Sequence, residues 1–176
     1  MRMWTAIVAI MVIAGCSARQ PAAKTPAPPS AEVAAPSAEK RTEFVRNLSQ
    51  REKARFSDAC RITRTLLDGE DKEGSFAEVR AALIAERVIP VDWTYVAESP
   101  LTKGMISHML RNALKIRGGL TTMLVGTTQR YGLRECVWTG IVYDGSVDEY
   151  VSGGELLAIF SRAETYKKHG DLESLK

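Results

Sequence analysis

Leu101-Thr102-Lys103-Gly104-Met105 and Val151-Ser152-Gly153-Gly154-Glu155 are two versions of one pattern, fifty residues apart. Each has an apolar residue, then a hydroxyl residue, then the first turn of an apolar helical face. A Thr or Ser there is an N-cap, since its side-chain oxygen accepts from an otherwise unpaired first-turn N–H. After Thr102 the face is Met105, Ile106, Met109, Leu110, Ala113 and Leu114; after Ser152 it is Leu156, Leu157, Phe160 and Ala163. Gly104 matches Gly154 and Ala113 matches Ala163. Upstream of each stretch is a branched apolar pair, Val88-Ile89 or Ile141-Val142. Each unit therefore reads as helix, apolar exit, irregular loop and capped helix. A repeat of this period marks units that cannot bury their apolar faces alone.

The remaining helices follow from periodicity and caps. Ser49 with Glu52 has capping-box spacing and precedes Phe56, Cys60, Thr63 and Leu67, so a helix is predicted over 50–68, stopped by Gly69. Ser75 with Glu78 is a second capping box, with Phe76, Val79, Leu83 and Ile84 behind it and Pro90 beyond. Another helix is predicted from about Tyr131 to Thr139, and Gly118-Gly119 is expected to end the one begun at Thr102. Leu120 to Val125 is β-prone and bounded by glycines. The expected fold is mainly α: one small domain, 41–176, of helix–loop–helix repeats, with a short β-prone segment near 120–125.

Leu101-Thr102 and Val151-Ser152, each before a capped helix, resemble the start of the second helix in S-layer homology repeats. Phe56 with Asp58 is similar to that family's opening aromatic–x–acidic element. The resemblance covers roughly 75–166 in two units, with 50–68 as a degenerate third. Lys103 and Gly153 stand where the family has an Arg, and only the last unit keeps the acidic residue, Glu155. The resemblance implies contact with a cell-wall or surface polysaccharide, through Lys103, Thr102, Glu155 and Trp93. Lys103 is expected to be a solvated cation at a helix N-terminus, where the dipole also favours anions. Trp93, Tyr95 and Tyr150 either face a sugar or pin the loops to the core.

Ile13-Ala14-Gly15-Cys16 follows the apolar run Trp4 to Ala14, with Arg2 as a lone basic residue before it. The run is too short to span a bilayer, which takes about 20 residues. The four residues resemble a bacterial lipobox. That implies a signal peptide over 1–15 and lipid on Cys16, and the mature chain is expected to be held on a membrane by acyl chains. Ser17 is similar to the outer-membrane class of such lipoproteins, facing the periplasm; in a single-membrane cell the anchor is the cytoplasmic membrane. Residues 16–40 read as a tether, because five of the seven prolines lie there (Pro21, Pro26, Pro28, Pro29 and Pro36) with Val33 the only branched apolar residue. Extended, such a segment reaches up to roughly 70 Å.

Charge and chemistry narrow the function. The chain has 24 basic and 21 acidic residues, so a nucleic-acid interface, which needs a basic stripe, is not expected. Only His108 and His169 are available as imidazole bases, one beside an apolar face and one in a polar tail. No nucleophile elbow, phosphate loop or zinc motif is present. The acidic loop Asp68-Gly69-Glu70-Asp71-Lys72-Glu73-Gly74 fails the EF-hand template, with Lys72 in a ligand position. No enzyme activity, cofactor or metal is expected. Cys60 and Cys136 read first as buried free thiols, with a disulfide as the alternative. The expected function is a non-catalytic binding domain on a lipid anchor; the alternative is a scaffold subunit for another envelope protein.

Overall fold

Three hydrogen bonds close a ring at the centre of the molecule. Leu101 N donates to Ala54 O (2.9 Å), Val151 N to Leu101 O (3.0 Å) and Ala54 N to Val151 O (2.8 Å). All three residues are fully buried. Two residues further on the pattern repeats: Phe56 N donates to Ser99 O, Lys103 N to Glu149 O and Gly153 N to Arg51 O. Three short extended strands thus satisfy one another around a pseudo-threefold hub, which meets the rule that buried backbone groups be paired.

In this computed structural model, residues 36–72, 74–116 and 128–170 are described. Among them are six helices: α1 (Pro36–Ser49), α2 (Phe56–Asp68), α3 (Phe76–Ala85), α4 (Lys103–Ala113), α5 (Gln129–Trp138) and α6 (Gly153–His169). Each hub residue joins a pair, α1 to α2, α3 to α4 and α5 to α6. The second helix of each pair packs on the first of the next: α2 on α3, α4 on α5, and α6 back on α1. α2 also touches α4 and α6, so the three capped helices surround the axis. The domain is mainly helical, as the periodicity predicts.

The caps form where the hydroxyls lie. Thr102 Oγ1 accepts from Met105 N (3.4 Å), Ser152 Oγ from Glu155 N (3.1 Å) and Thr128 Oγ1 from Tyr131 N (3.4 Å). Ser75 and Glu78 make the expected capping box. The apolar pairs seal the exits of α3 and α5. Arg87 and Gly140 take left-handed φ of 59° and 74°. Val88 and Ile89 N then donate to Leu83 O, and Ile141 and Val142 N to Cys136 O. All four side chains in those pairs are buried.

Several expectations are corrected. Ser49 does not open a helix; it is the last residue of α1, and its hydroxyl donates to Arg46 O. The chain turns at 50–55, and α2 starts after Arg55, whose N–H donates to Asp58 Oδ2 (2.9 Å). Capping-box spacing alone cannot tell a helix start from an end, because a Ser hydroxyl bonds to a carbonyl behind it as readily as to an N–H ahead. α1 begins at Pro36, five residues inside the segment read as tether; Pro suits a helix first turn, where its missing N–H costs nothing. Phe56 and Asp58 lie on the first turn of a capped helix, at the place Lys103 and Met105 hold in the next pair, rather than at the opening of a unit. α4 ends at Ala113, and Lys115 follows in left-handed conformation (φ 52°). His169 ends α6 rather than lying in a tail. Residues 1–35, Gly118-Gly119 and the β-prone 120–125 lie outside the described residues, and so does Cys16.

Candidate functional site

The start of α4 carries two of the sequence-derived candidates, Thr102 and Lys103, and the first turn of α6 carries Glu155; the structure gives them different work. Thr102 caps α4 and bridges to Tyr150. Lys103 is buried, at 4% exposure, and is not a solvated cation. Its Nζ lies 2.9 Å from Glu149 and 3.6 Å from Glu155 and donates to Asp144 O at 3.5 Å. The expectation of a free cation fails because the loop before Val151 brings Glu149 onto Lys103 and the first turn of α6 brings Glu155. Burial pulls the Lys103 ammonium down, but the hydrogen bond to Glu149 and the charges of Glu155 and Glu149 outweigh it and raise it above the ordinary lysine value.

Gly104 explains how the loop comes so close. Its N–H donates to Val147 O at 2.9 Å, and a Cβ there would lie 2.5 Å from Val147 Cγ1 and 3.0 Å from Val147 O. Residues 144–149 are therefore clamped to α4 by backbone and by Lys103 together. Lys103→Ala is expected to cost about 2 kcal/mol, less than a fully buried pair because Glu149 is 47% exposed and can rehydrate. Glu149→Gln should cost less, because Glu155 still faces the ammonium. Urea denaturation of both variants checks the asymmetry; equal costs would show that Lys103 does not bridge the two carboxylates.

Trp93 belongs to a different cluster. Its ring lies 5.2 Å from Tyr95, 6.1 Å from Phe56 and 5.1 Å from His108, and its carbonyl accepts from Arg80. Tyr95 packs on Phe56 at 5.6 Å, and its hydroxyl accepts from Gln129 Nε2. These aromatics pin the 86–100 loop to the core. Tyr150 is half-exposed, with Lys53 Nζ 4.3 Å from its ring centroid.

His108 is buried behind Trp93. Its Nε2 is 3.1 Å from Asn112 Nδ2, which also donates to Val88 O. Burial first, then the Arg111 charge, push the imidazole below its ordinary value, against an opposing pull from the Thr128 backbone and the Asp92 charge. The native state then holds neutral His108, while the unfolded chain takes up a proton with a pKa of about 6.5. Stability from this group is complete above that pH and falls as pH drops through it toward the lower folded value. His108→Gln should flatten this part of the pH–stability curve; an unchanged slope from pH 7 to 5 would place the proton elsewhere.

Cys60 and Cys136 are free and buried. Burial pushes both thiols up to about 12. Cys136 Sγ donates to Ser107 O at 3.4 Å. The acidic loop after α2 is neutralised by arginine rather than arranged for a cation. Asp71 takes a two-point contact from Arg61, and Asp68 pairs with Arg64 and Lys72. Among the described residues no group of three or more His, Cys, Asp or Glu is placed to hold a metal, and no helix is long and apolar enough to cross a membrane.

The structure also reveals a cleft beside α5 that sequence reading missed. It has a volume of about 660 Å³ and lies between α5 and residues 144–148. Arg130, Leu133, Arg134 and Val137 form one side; Asp144, Ser146 and Asp148 lie on the other. The only signal in the sequence was the i, i+4 spacing of two arginines, which reads equally as a solvated face. Comparison with protein-family models, with curated proteins and with solved structures gives no match.

Proposed function

We propose that this chain is a membrane-anchored envelope lipoprotein whose helical ring is a non-catalytic module that contacts the cell wall. The anchor half of the reading rests on Ile13-Ala14-Gly15-Cys16. The wall-contacting half rests on the S-layer homology resemblance of the repeats and, above all, on the cleft beside α5. Its rim carries Arg130 and Arg134 facing Asp144 and Asp148, with no ion pair between them among the described residues, and its acidic side is fastened to α4 by Lys103 and Gly104. Lys103 supports this role by positioning the loop rather than by touching a polymer. The chemistry of the buried groups supports a binding role over catalysis. The two thiols are protonated and shielded, and His108 is enclosed by Trp93 and Asn112.

A scaffold role is favoured by a different observation. Val91 and Trp138 are each 80% exposed, Tyr143 68% and Val96 64%. Large apolar side chains left in water are the raw material of a protein interface. Fractionation and co-sedimentation separate the readings. The wild type is expected to take up a palmitate analogue, to fractionate with membranes and to co-sediment with purified peptidoglycan. Cys16→Ser should lose the label and the membrane while still sedimenting with the wall. Failure to sediment, with crosslinking to one envelope protein instead, would make the scaffold reading the correct one.

A further inference from the structure

We propose that the cleft between α5 and residues 144–148 binds a zwitterionic peptide, a ligand carrying carboxylate and ammonium groups together. This rests on the wall-contacting reading and assigns the contact to the peptide part of the wall rather than to its sugar chains.

The cleft carries charge that the described residues leave unmatched. Arg130 and Arg134 are one helical turn apart on α5, and both are exposed. Neither has an ion-pair or hydrogen-bond partner among the described residues. On the neighbouring α4, by contrast, Arg111 is engaged with Glu135. Across the cleft, Asp148 is likewise without a partner among the described residues, and the Asp144 side chain only accepts locally from Gly145 N. Two cations and two carboxylates thus line one cleft without closing onto each other. The gap is held open because the acidic side is clamped to α4 through the Lys103 ion pairs and the Gly104–Val147 contact.

Ligand classes differ in how they meet that arrangement. A polyanion satisfies the arginines and is repelled by the aspartates; a polycation meets the reverse. A neutral sugar leaves all four charges without a counter-ion. A zwitterion presents its carboxylate to the arginines, whose forked donors suit it, and its ammonium to the aspartates. Leu133 and Val137 at the base offer an apolar strip for the aliphatic stem between the two charged ends. A rigid, preformed cleft of this size lies in the usual range for small-ligand sites and lowers the ordering cost of binding.

The test is calorimetric titration of the full-length chain in detergent micelles with γ-D-glutamyl-meso-diaminopimelic acid. The same compound with its amines acetylated is titrated in parallel, and N-acetylglucosamine, which is neutral, serves as the sugar control. Saturable binding of the dipeptide is expected, weakened at least tenfold by acetylation, with no heat from the sugar. Arg130→Ala/Arg134→Ala and Asp144→Asn/Asp148→Asn should each weaken it at least tenfold with unchanged circular-dichroism melts. No binding by the wild type, equal binding of the acetylated compound, or affinity indifferent to both double variants would overturn the proposal. Wild type that sediments with peptidoglycan but ignores the dipeptide keeps the wall reading and removes this one. Wild type that binds the dipeptide but does not sediment keeps the site and removes the wall reading.

Discussion

Gly153→Ala is expected to destabilise the domain by about 3 kcal/mol, at the top of the usual overpacking range, while Gly154→Ala next to it should be neutral or slightly stabilising. The two glycines are adjacent on the first turn of α6 and look equivalent in the sequence. A Cβ on Gly153 would be driven into the Leu48 carbonyl, 2.7 Å from its carbon and nearer still to its oxygen. Gly153 N also donates to Arg51 O, so the α6 start cannot slide away without breaking the hub. The obstacle is backbone, which has no rotamer to yield. A Cβ on Gly154 meets nothing closer than Ser49 O at 4.0 Å. There the lower backbone entropy cost of Ala in a helix acts unopposed. Urea midpoints of the two variants, at unchanged m-value, read the difference directly. Equal stabilities would mean that α1 does not close the ring against α6.

Phe56→Ala is expected to cost about 4 kcal/mol, in the range for removing a large buried aromatic ring. Phe56 is fully buried, and its ring centroid lies 6.0 Å from Phe76, 5.6 Å from Tyr95 and 6.1 Å from Trp93. Its ring meets both Phe76 in the first turn of α3 and the aromatic loop before the hub. Its loss leaves a cavity that Trp93 and Tyr95 fill only by pulling the loop off its Arg80 contact. Phe44→Ala is the control. Phe44 is half-buried under Arg61, whose guanidinium carbon lies 4.0 Å from the ring centroid, and should cost about half as much or less. Denaturation with tryptophan fluorescence checks both. A Phe56→Ala loss no larger than that of Phe44→Ala would show that the cluster is not the keystone of this side.

What the sequence by itself determined is local. The caps at Ser75, Thr102 and Ser152, the stop at Gly69 and the apolar pairs Val88-Ile89 and Ile141-Val142 depend on bonds within one turn, so their residues declare them. The mainly helical class followed from these. Tertiary structure decided everything that depends on residues far apart in the chain. α1 was not legible because its core-facing residues are sparse, with Leu48 buried and Phe44 half-buried, and its partner α6 lies a hundred residues away. Lys103 reads as a surface cation until Glu149 and Glu155 are brought onto it. The cleft beside α5 exists only because Gly104 admits the 144–148 loop against α4. A cap needs a hydroxyl and the N–H three residues on; a buried ion pair or a ligand cleft needs a ring to close, and closure is a property of the whole chain.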